Sequence, residues 1–101
     1  MNQRKKYAQR IARERIKILF SLAQERALEG DEELARRYVE HMVNLSKKYN
    51  VRIPRDMKRM YCKKCHTFLL PGKTAQVRLK KGKVVIKCLR CGAYKRYVYR
   101  K

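Results

Sequence analysis

The sequence predicts an α+β fold in which an N-terminal antiparallel hairpin of two helices precedes a C-terminal ribbon of short antiparallel strands. Three observations predict it. Apolar residues recur at every third or fourth position in the first half, short apolar runs flank a glycine-containing turn in the second half, and two Cys-x-x-Cys pairs frame those runs. The 101 residues are accordingly divided into a helical hairpin at 1–50, a basic linker at 51–60 and the ribbon at 61–101.

The first helix is predicted from about Gln3 to Glu29, because its apolar residues form one continuous stripe. That stripe consists of Ala8, Ile11, Ala12, Ile16, Leu19, Leu22, Ala23 and Ala27. Gly30 suits the left-handed position that follows many helices, and Asp31 suits the N-cap of the next helix.

The second helix is predicted from about Glu32 to Tyr49, with Asn50 and Pro54 ending it. Its apolar stripe consists of Leu34, Ala35, Tyr38, Val39, Met42, Leu45 and Tyr49. Because the connection between the two helices is so short, they must run antiparallel.

Some apolar residues do not fit these two stripes. Ile18 and Phe20 lie off the first stripe, and Val43 broadens the second. A hairpin of two helices buries only part of such a surface, so either a protein partner covers the rest or it packs on the chain's own ribbon. The helical pattern alone does not separate these alternatives.

The second half is predicted to contain three short strands. Val77 to Leu79 and Val84 to Ile86 form a hairpin around a four-residue loop, Lys80 to Lys83, and a third strand runs from Tyr94 to Tyr99. The basic linker, Val51 to Met60, leads into the first cysteine pair.

The cysteine pairs predict one structural Zn²⁺ held by Cys62, Cys65, Cys88 and Cys91. A ribbon of about 40 residues has too small a core to fold without such a cross-link. Disulfides would need an oxidising compartment, and Met1 to Arg15 lacks an apolar signal segment. Some thermophile proteins do form intracellular disulfides, which remain the alternative.

The residue after each pair tests the same prediction, because a knuckle turns back through a left-handed backbone position. Gly92 follows the second pair and adopts that conformation without strain. His66 follows the first pair, and His tolerates positive φ better than most residues. His66 is therefore predicted to be a turn residue and not a fifth ligand.

Charge predicts a nucleic-acid partner. The net charge is +21, from 29 Lys and Arg against 8 Asp and Glu. Residues 1–50 carry 12 basic and 7 acidic side chains, whereas residues 51–101 carry 17 basic and one acidic. Such a field attracts polyanions, and basic residues clustered around the cysteines favour nucleic acid over a membrane surface, which selects amphipathic helices. No 18-residue apolar run that could span a membrane is present.

The ribbon residues predicted to contact nucleic acid are Lys63, Lys64, Lys73, Arg78, Lys80, Lys81, Lys83, Arg90, Arg96 and Arg100. Lys87 and Lys95 belong to the same basic stretch. Tyr61, Tyr94, Tyr97 and Tyr99 either stack on exposed bases or pack the ribbon. No grouping of His or carboxylates suits general acid/base catalysis or a two-metal site, so the chain is predicted to have no catalytic residues.

Several motifs together resemble the zinc-ribbon protein subunit of archaeal and eukaryotic ribonuclease P. They are Tyr61-Cys62-Lys63-Lys64-Cys65, Leu70-Pro71-Gly72, Val77-Arg78, Cys88-Leu89-Arg90-Cys91-Gly92 and Arg96-Tyr97. The preceding helical hairpin matches that family's architecture as well. Val98 departs from it, since members often carry Pro near the last strand.

The resemblance implies an RNA-binding accessory subunit of a ribonucleoprotein in which RNA catalyses removal of the 5′ leader from precursor tRNA. It also implies that the helices bind a second basic subunit, an RNA-binding barrel protein, and that the protein is cytoplasmic. The residues predicted to face that subunit are Ile11, Ile18, Leu19, Leu22, Tyr38 and Met42. A ribosomal or transcription-type zinc-ribbon protein is the alternative, although the former more often has extended basic tails.

Overall fold

The computed structural model describes residues 3–98 and has an α+β fold. Its elements are α1 (Gln3–Leu28), α2 (Glu32–Tyr49), α3 (Arg55–Lys58), β1 (Ala75–Lys80), β2 (Lys83–Cys88) and β3 (Tyr94–Val98). The strands form one antiparallel sheet in the order β1-β2-β3. Across the described residues, no helix combines the length and the apolar character that crossing a membrane requires.

The turn between α1 and α2 has the predicted capping residues. Gly30 has φ +91°, and its N–H donates to the carbonyl of Ala27 while that of Asp31 donates to the carbonyl of Arg26. These two bonds form a Schellman motif, which satisfies the last carbonyls of α1. The Asp31 carboxylate then accepts from the N–H of Leu34 at 3.2 Å and caps α2.

Small residues let the two helices approach closely. Ala12, Ala23 and Ala27 of α1 are buried, as is Ala35 of α2. At the open end of the hairpin, the amide of Gln9 donates to the carbonyl of Tyr49 at 3.1 Å. That contact brings the start of α1 to the end of α2, as an antiparallel pair requires, and satisfies a carbonyl without an intrahelical partner.

The helical hairpin and the ribbon share one hydrophobic core. Phe20 packs against Phe68 with ring centroids 5.5 Å apart, and Tyr61 and Leu70 belong to the same buried cluster. Of the two residues off the α1 stripe, Phe20 therefore packs on the ribbon, whereas Ile18 is 59% exposed. Packing on the chain's own ribbon thus accounts for Phe20 but not for Ile18.

Residues 51–60, the predicted linker, contribute to that core. Val51 and Ile53 are buried, and the short helix α3 follows them. The segment is rich in basic residues, but its apolar side chains anchor it between the hairpin and the ribbon.

The loop between β1 and β2 is shorter than the predicted four residues. Lys80 pairs with Lys83, which leaves only Lys81 and Gly82 in the turn. Both have positive φ, at +34° and +80°, as a two-residue type I′ turn requires. The predicted end of the third strand, Tyr99, lies outside the described residues.

Candidate metal centre and nucleic-acid interface

Each cysteine pair lies in a tight turn of the same geometry. The N–H of His66 donates to the carbonyl of Cys62 at 2.9 Å, and the N–H of Gly92 donates to that of Cys88 at 2.8 Å. His66 has φ +62° and Gly92 has φ +82°. The predicted left-handed position after each pair is confirmed, and both turns direct their cysteine side chains to one point.

The four sulfurs at that point have the spacing of a tetrahedral metal site. All four Sγ atoms lie within 4.8 Å of one another, with Cys62 and Cys91 at 3.5 Å and Cys65 and Cys88 at 3.6 Å. A Zn–S distance of about 2.3 Å gives a tetrahedral edge of about 3.8 Å, whereas a disulfide requires about 2.05 Å. The cysteines can therefore hold a metal ion.

Burial disfavours the thiolate form of two of the four cysteines unless a cation is bound. It raises the pKa of Cys62 and raises the pKa of Cys88 to about 12. Burial also pushes the pKa of Cys65 upward, but hydrogen bonds from Thr67 and neighbouring thiols outweigh it and lower this pKa to about 7. Because metal ligands are thiolates, the ion must displace protons from the buried sulfurs.

The sheet next to the cysteines has two different faces. Directly opposed residues of antiparallel strands share a face, so the register sorts the side chains into rows. One face, here called the apolar face, has the rows Ala75–Cys88, Val77–Ile86–Lys95 and Leu79–Val84–Tyr97. It is turned toward α3: the ammonium of Lys95 donates to the carbonyl of Lys58, and the hydroxyl of Tyr97 donates to that of Arg59 at 3.4 Å.

The opposite face, here called the basic face, is open. Its rows are Gln76–Lys87–Tyr94, Arg78–Val85–Arg96 and Lys80–Lys83–Val98. Not one of these nine side chains is buried, five are cationic and none is acidic. Basic residues are spread evenly along the ribbon sequence. Because successive side chains of a strand point to opposite faces, five of them come together on this one face.

The structure places the predicted nucleic-acid contacts at several sites. Four of them lie on the basic face: Arg78, Lys80, Lys83 and Arg96. Four more are exposed in the β1–β2 turn, the first knuckle and the loop before β1: Lys81, Lys63, Lys64 and Lys73. Arg100 lies outside the described residues.

Arg90 contacts the helical hairpin. Its guanidinium lies 4.0 Å from carboxylate oxygens of Glu32 and of Glu33, at the start of α2. Lys87 belongs to the basic stretch that the sequence identified but not to the ten predicted contacts, and the register places it beside Tyr94 on the basic face. Strand pairing is the signal that distinguishes it from Lys95, which lies on the apolar face.

The residues predicted to bind a protein partner differ in exposure. Ile18 is exposed, whereas Ile11, Leu19, Leu22 and Tyr38 are half-buried. Met42 has 0% exposure and lies in the chain's own core, so its side chain has no surface for a partner. On α1, Ile11, Ile18 and Leu22 continue a line that begins at Tyr7, which is itself exposed.

A family model described as the RNAse P Rpr2/Rpp21/SNM1 subunit domain matches residues 15–92. Ribonuclease P protein component 4 of Pyrococcus furiosus is 54% identical over 98 residues, covering 94% of this chain and 83% of that protein. The protein of the same name from Methanosarcina acetivorans is 44% identical over 99 residues, covering 98% and 92%.

Solved structures are similar to the chain as well. A chain in the cryo-EM structure of archaeal ribonuclease P with mature tRNA matches with a TM-score of 0.83 and 48% identity, covering 88% of this chain and 77% of that one. The structure titled "Pfu Rpp21 structure and assignments" matches with a TM-score of 0.63 and 54% identity, covering 87% and 99%.

Proposed function

Because the chain belongs to the ribonuclease P Rpr2/Rpp21/SNM1 subunit family, we propose that it is an RNA-binding accessory subunit of ribonuclease P. In that role it supports RNA-catalysed removal of the 5′ leader from precursor tRNA. The observation that carries the proposal is the extent of the family match, which begins inside α1 and ends after the second knuckle. Both halves of the chain, and not the cysteine pairs alone, correspond to the family.

The chain contributes binding and not chemistry in this proposal. Ribonuclease P RNA is its direct partner, and precursor tRNA joins the same complex in the cytoplasm. Cationic side chains neutralise phosphates where RNA segments approach one another. The catalytic groups belong to the RNA, which accords with the absence of a catalytic grouping in the sequence.

One structural Zn²⁺ held by Cys62, Cys65, Cys88 and Cys91 is part of the proposal. Four thiolates leave no open coordination position for a substrate, so the ion cross-links the two knuckles. The side chains of Leu69 and Ala75 pack around the sulfurs and form only a small core. The ion therefore stabilises the end of the ribbon that lies outside the core shared with the hairpin.

The RNA surface centres on the basic face and extends to the exposed loops. It comprises Lys63, Lys64, Lys73, Arg78, Lys80, Lys81, Lys83, Arg90, Arg96 and Arg100. The absence of carboxylates from residues 61–101 supports this location, because no acidic side chain of the ribbon itself competes with phosphate. Arg90 alone in this set also faces carboxylates of α2, those of Glu32 and Glu33.

A second basic subunit binds the helical hairpin. The line of Tyr7, Ile11, Ile18 and Leu22 on α1 supports this part of the proposal, because the chain's own core leaves it at least partly exposed. Leu19 and Tyr38 border the core and contribute their remaining surface. Residues 1–50 thus serve the protein partner, residues 61–101 serve RNA, and residues 51–60 connect them.

Purification of the tagged chain from its native cells tests the proposed function. We expect one abundant structured RNA to co-purify together with activity that removes the 5′ leader from precursor tRNA. A tagged Cys88→Ser variant is the control: if recovery of the RNA requires a folded ribbon, this variant should recover much less of it. Recovery of ribosomal RNA alone, without processing activity, would contradict the proposal.

A further inference from the structure

Tyr94 differs in its surroundings from Tyr61 and Tyr97, the other two ribbon tyrosines among residues 3–98. Tyr61 is 4% exposed with the Lys95 ammonium over its ring, and Arg59 covers the ring of Tyr97 at 4.5 Å. Tyr94 is 53% exposed, and its hydroxyl has no hydrogen-bond partner among residues 3–98. Burial in the ribbon therefore accounts for Tyr61 and for much of Tyr97, whereas more than half of Tyr94 is open to solvent.

Two cations lie over that ring, but both belong to side chains that are not buried. The Lys87 ammonium lies 5.8 Å and the Arg96 guanidinium 5.4 Å from the centroid of Tyr94. Both lie on the basic face, where Arg78, Lys80 and Lys83 continue the positive charge away from the ring. A single exposed tyrosine is common on protein surfaces. An exposed tyrosine at one end of a carboxylate-free basic face is a much more specific arrangement.

This combination suits one kind of ligand. A phosphate needs the cations but not the ring, whereas a paired base presents no free π-face to an aromatic side chain. An unpaired base can stack on the ring while the flanking cations bind the phosphates on either side of it. Because Arg96 is exposed, its guanidinium can leave the ring to the base and bind the adjacent phosphate instead.

We propose that Tyr94 is a stacking platform for an unpaired nucleotide of RNA, with Lys87 and Arg96 binding the backbone on either side. The inference rests on the proposed function, since it specifies which form of RNA the basic face recognises. The Tyr94 contact confers preference for unpaired segments, and the remaining cations of the face bind backbone phosphates without regard to pairing.

Two hairpin RNAs test this with the zinc-loaded full chain. One carries a single bulged 2-aminopurine, a fluorescent adenine analogue, and the other is fully paired. We expect tighter binding of the bulged RNA, with quenching of its fluorescence by stacking. Tyr94→Leu should weaken that binding by about 5- to 150-fold, the range found for single base–aromatic stacks, and leave the paired RNA unaffected. Tyr94→Phe should preserve both the preference and the quenching.

Leu28→Ala is the control, because Leu28 is a 58% exposed apolar residue at the end of α1 that belongs to neither proposed binding surface. It should change neither affinity, and zinc content should be equal in all variants. The inference would be overturned if the wild type bound both RNAs equally, or if Tyr94→Leu lost the same affinity for both. Either result would leave the proposed function standing. Failure of the wild type to bind any RNA would overturn the proposed function as well.

The unpaired nucleotide can come from ribonuclease P RNA or from precursor tRNA. Ultraviolet crosslinking of the assembled particle, followed by sequencing of the nucleotide joined to the peptide containing Tyr94, separates these sources. A crosslink to an unpaired nucleotide of either RNA supports the inference. A crosslink confined to base-paired nucleotides would overturn it.

Discussion

Two residues with positive φ, His66 and Gly92, give the two knuckles the same shape. Their spacing from the cysteines made this conformation predictable, since it depends only on neighbours within the same turn. His66 belongs to the turn and not to the sulfur cluster, because the metal-site geometry within the described residues includes only the four cysteines. We therefore predict that His66 is not a ligand, although it lies beside Cys65.

Replacing one ligand should remove the metal and unfold the ribbon. Cys88→Ser leaves three thiolates around a buried hydroxyl, which is a much weaker ligand for zinc. Metal analysis of the purified protein should show zinc loss, and thermal unfolding followed by circular dichroism should show loss of the strand signal. His66→Gly keeps the left-handed turn and should retain zinc. Loss of zinc in His66→Gly would make His66 a ligand, and retention in Cys88→Ser would refute the site.

At the scale of secondary structure, local signals predicted the helices well. Gly30 and Asp31 set the end of α1 and the start of α2 through hydrogen bonds within six residues, so their pattern is visible in the sequence. The hairpin loop was less predictable, because Lys81 adopts a positive φ that its residue type does not favour. Pairing of the whole length of β1 with β2 imposes that conformation.

Contacts between distant elements could not be predicted from the sequence. Phe20 lies off the α1 stripe, and only its contact with Phe68, 48 positions along the chain, explains its placement. The burial of Val51 and Ile53 in a basic segment depends on the same meeting of hairpin and ribbon. Such long-range packing leaves no periodic pattern for a single sequence to display.

The Phe20 contact should stabilise the whole chain. Phe20→Ala removes a half-buried ring, so we expect a loss of about 2 kcal/mol in the free energy of unfolding, below the roughly 3–5 kcal/mol of a fully buried Phe. Urea unfolding of the zinc-loaded protein measures it. Ile18→Ala is the matched control, two residues away and exposed, and should change stability by no more than about 0.5 kcal/mol. Equal effects of the two substitutions would contradict the shared core.

The exposed line on α1 should instead affect association. Ile18→Glu places a carboxylate where an apolar partner surface is proposed, and we expect weaker capture of the second basic subunit with little change in unfolding free energy. Gln24→Glu adds the same charge at another exposed position of α1 and should leave capture intact. The measurement is co-purification of the untagged subunit with each tagged variant. Undiminished capture by Ile18→Glu would place the partner elsewhere.

For the whole molecule, the uneven charge was the most informative property of the sequence. The first 50 residues have a net charge of +5, from 12 basic and 7 acidic side chains, and the rest have +16, from 17 basic and one acidic. Composition identified the ribbon as the electropositive half, but it did not identify the surface within that half. The strand register does so, because it separates the basic face from the apolar face.

This uneven charge predicts that the lysines of the ribbon determine how strongly RNA affinity depends on salt concentration. Replacing Lys80, Lys81 and Lys83 with Ala should reduce the slope of log affinity against log salt concentration by about 0.7–0.9 for each phosphate that is no longer neutralised, up to about 2–3 units in all. Binding of the bulged hairpin RNA between about 50 and 500 mM potassium chloride measures the slope, since counterion release is proportional to the phosphates neutralised.

Replacing Lys17, Lys47 and Lys48 with Ala is the control for that slope, because it removes the same charge from the helical hairpin. If RNA binds the basic face and its turn, this control lowers the slope far less than the ribbon variant does, because screening limits the reach of distant charges to about 10 Å at 0.1 M salt. Equal slopes for the two variants would mean that RNA responds to total charge alone. The basic face would then have no special role in binding.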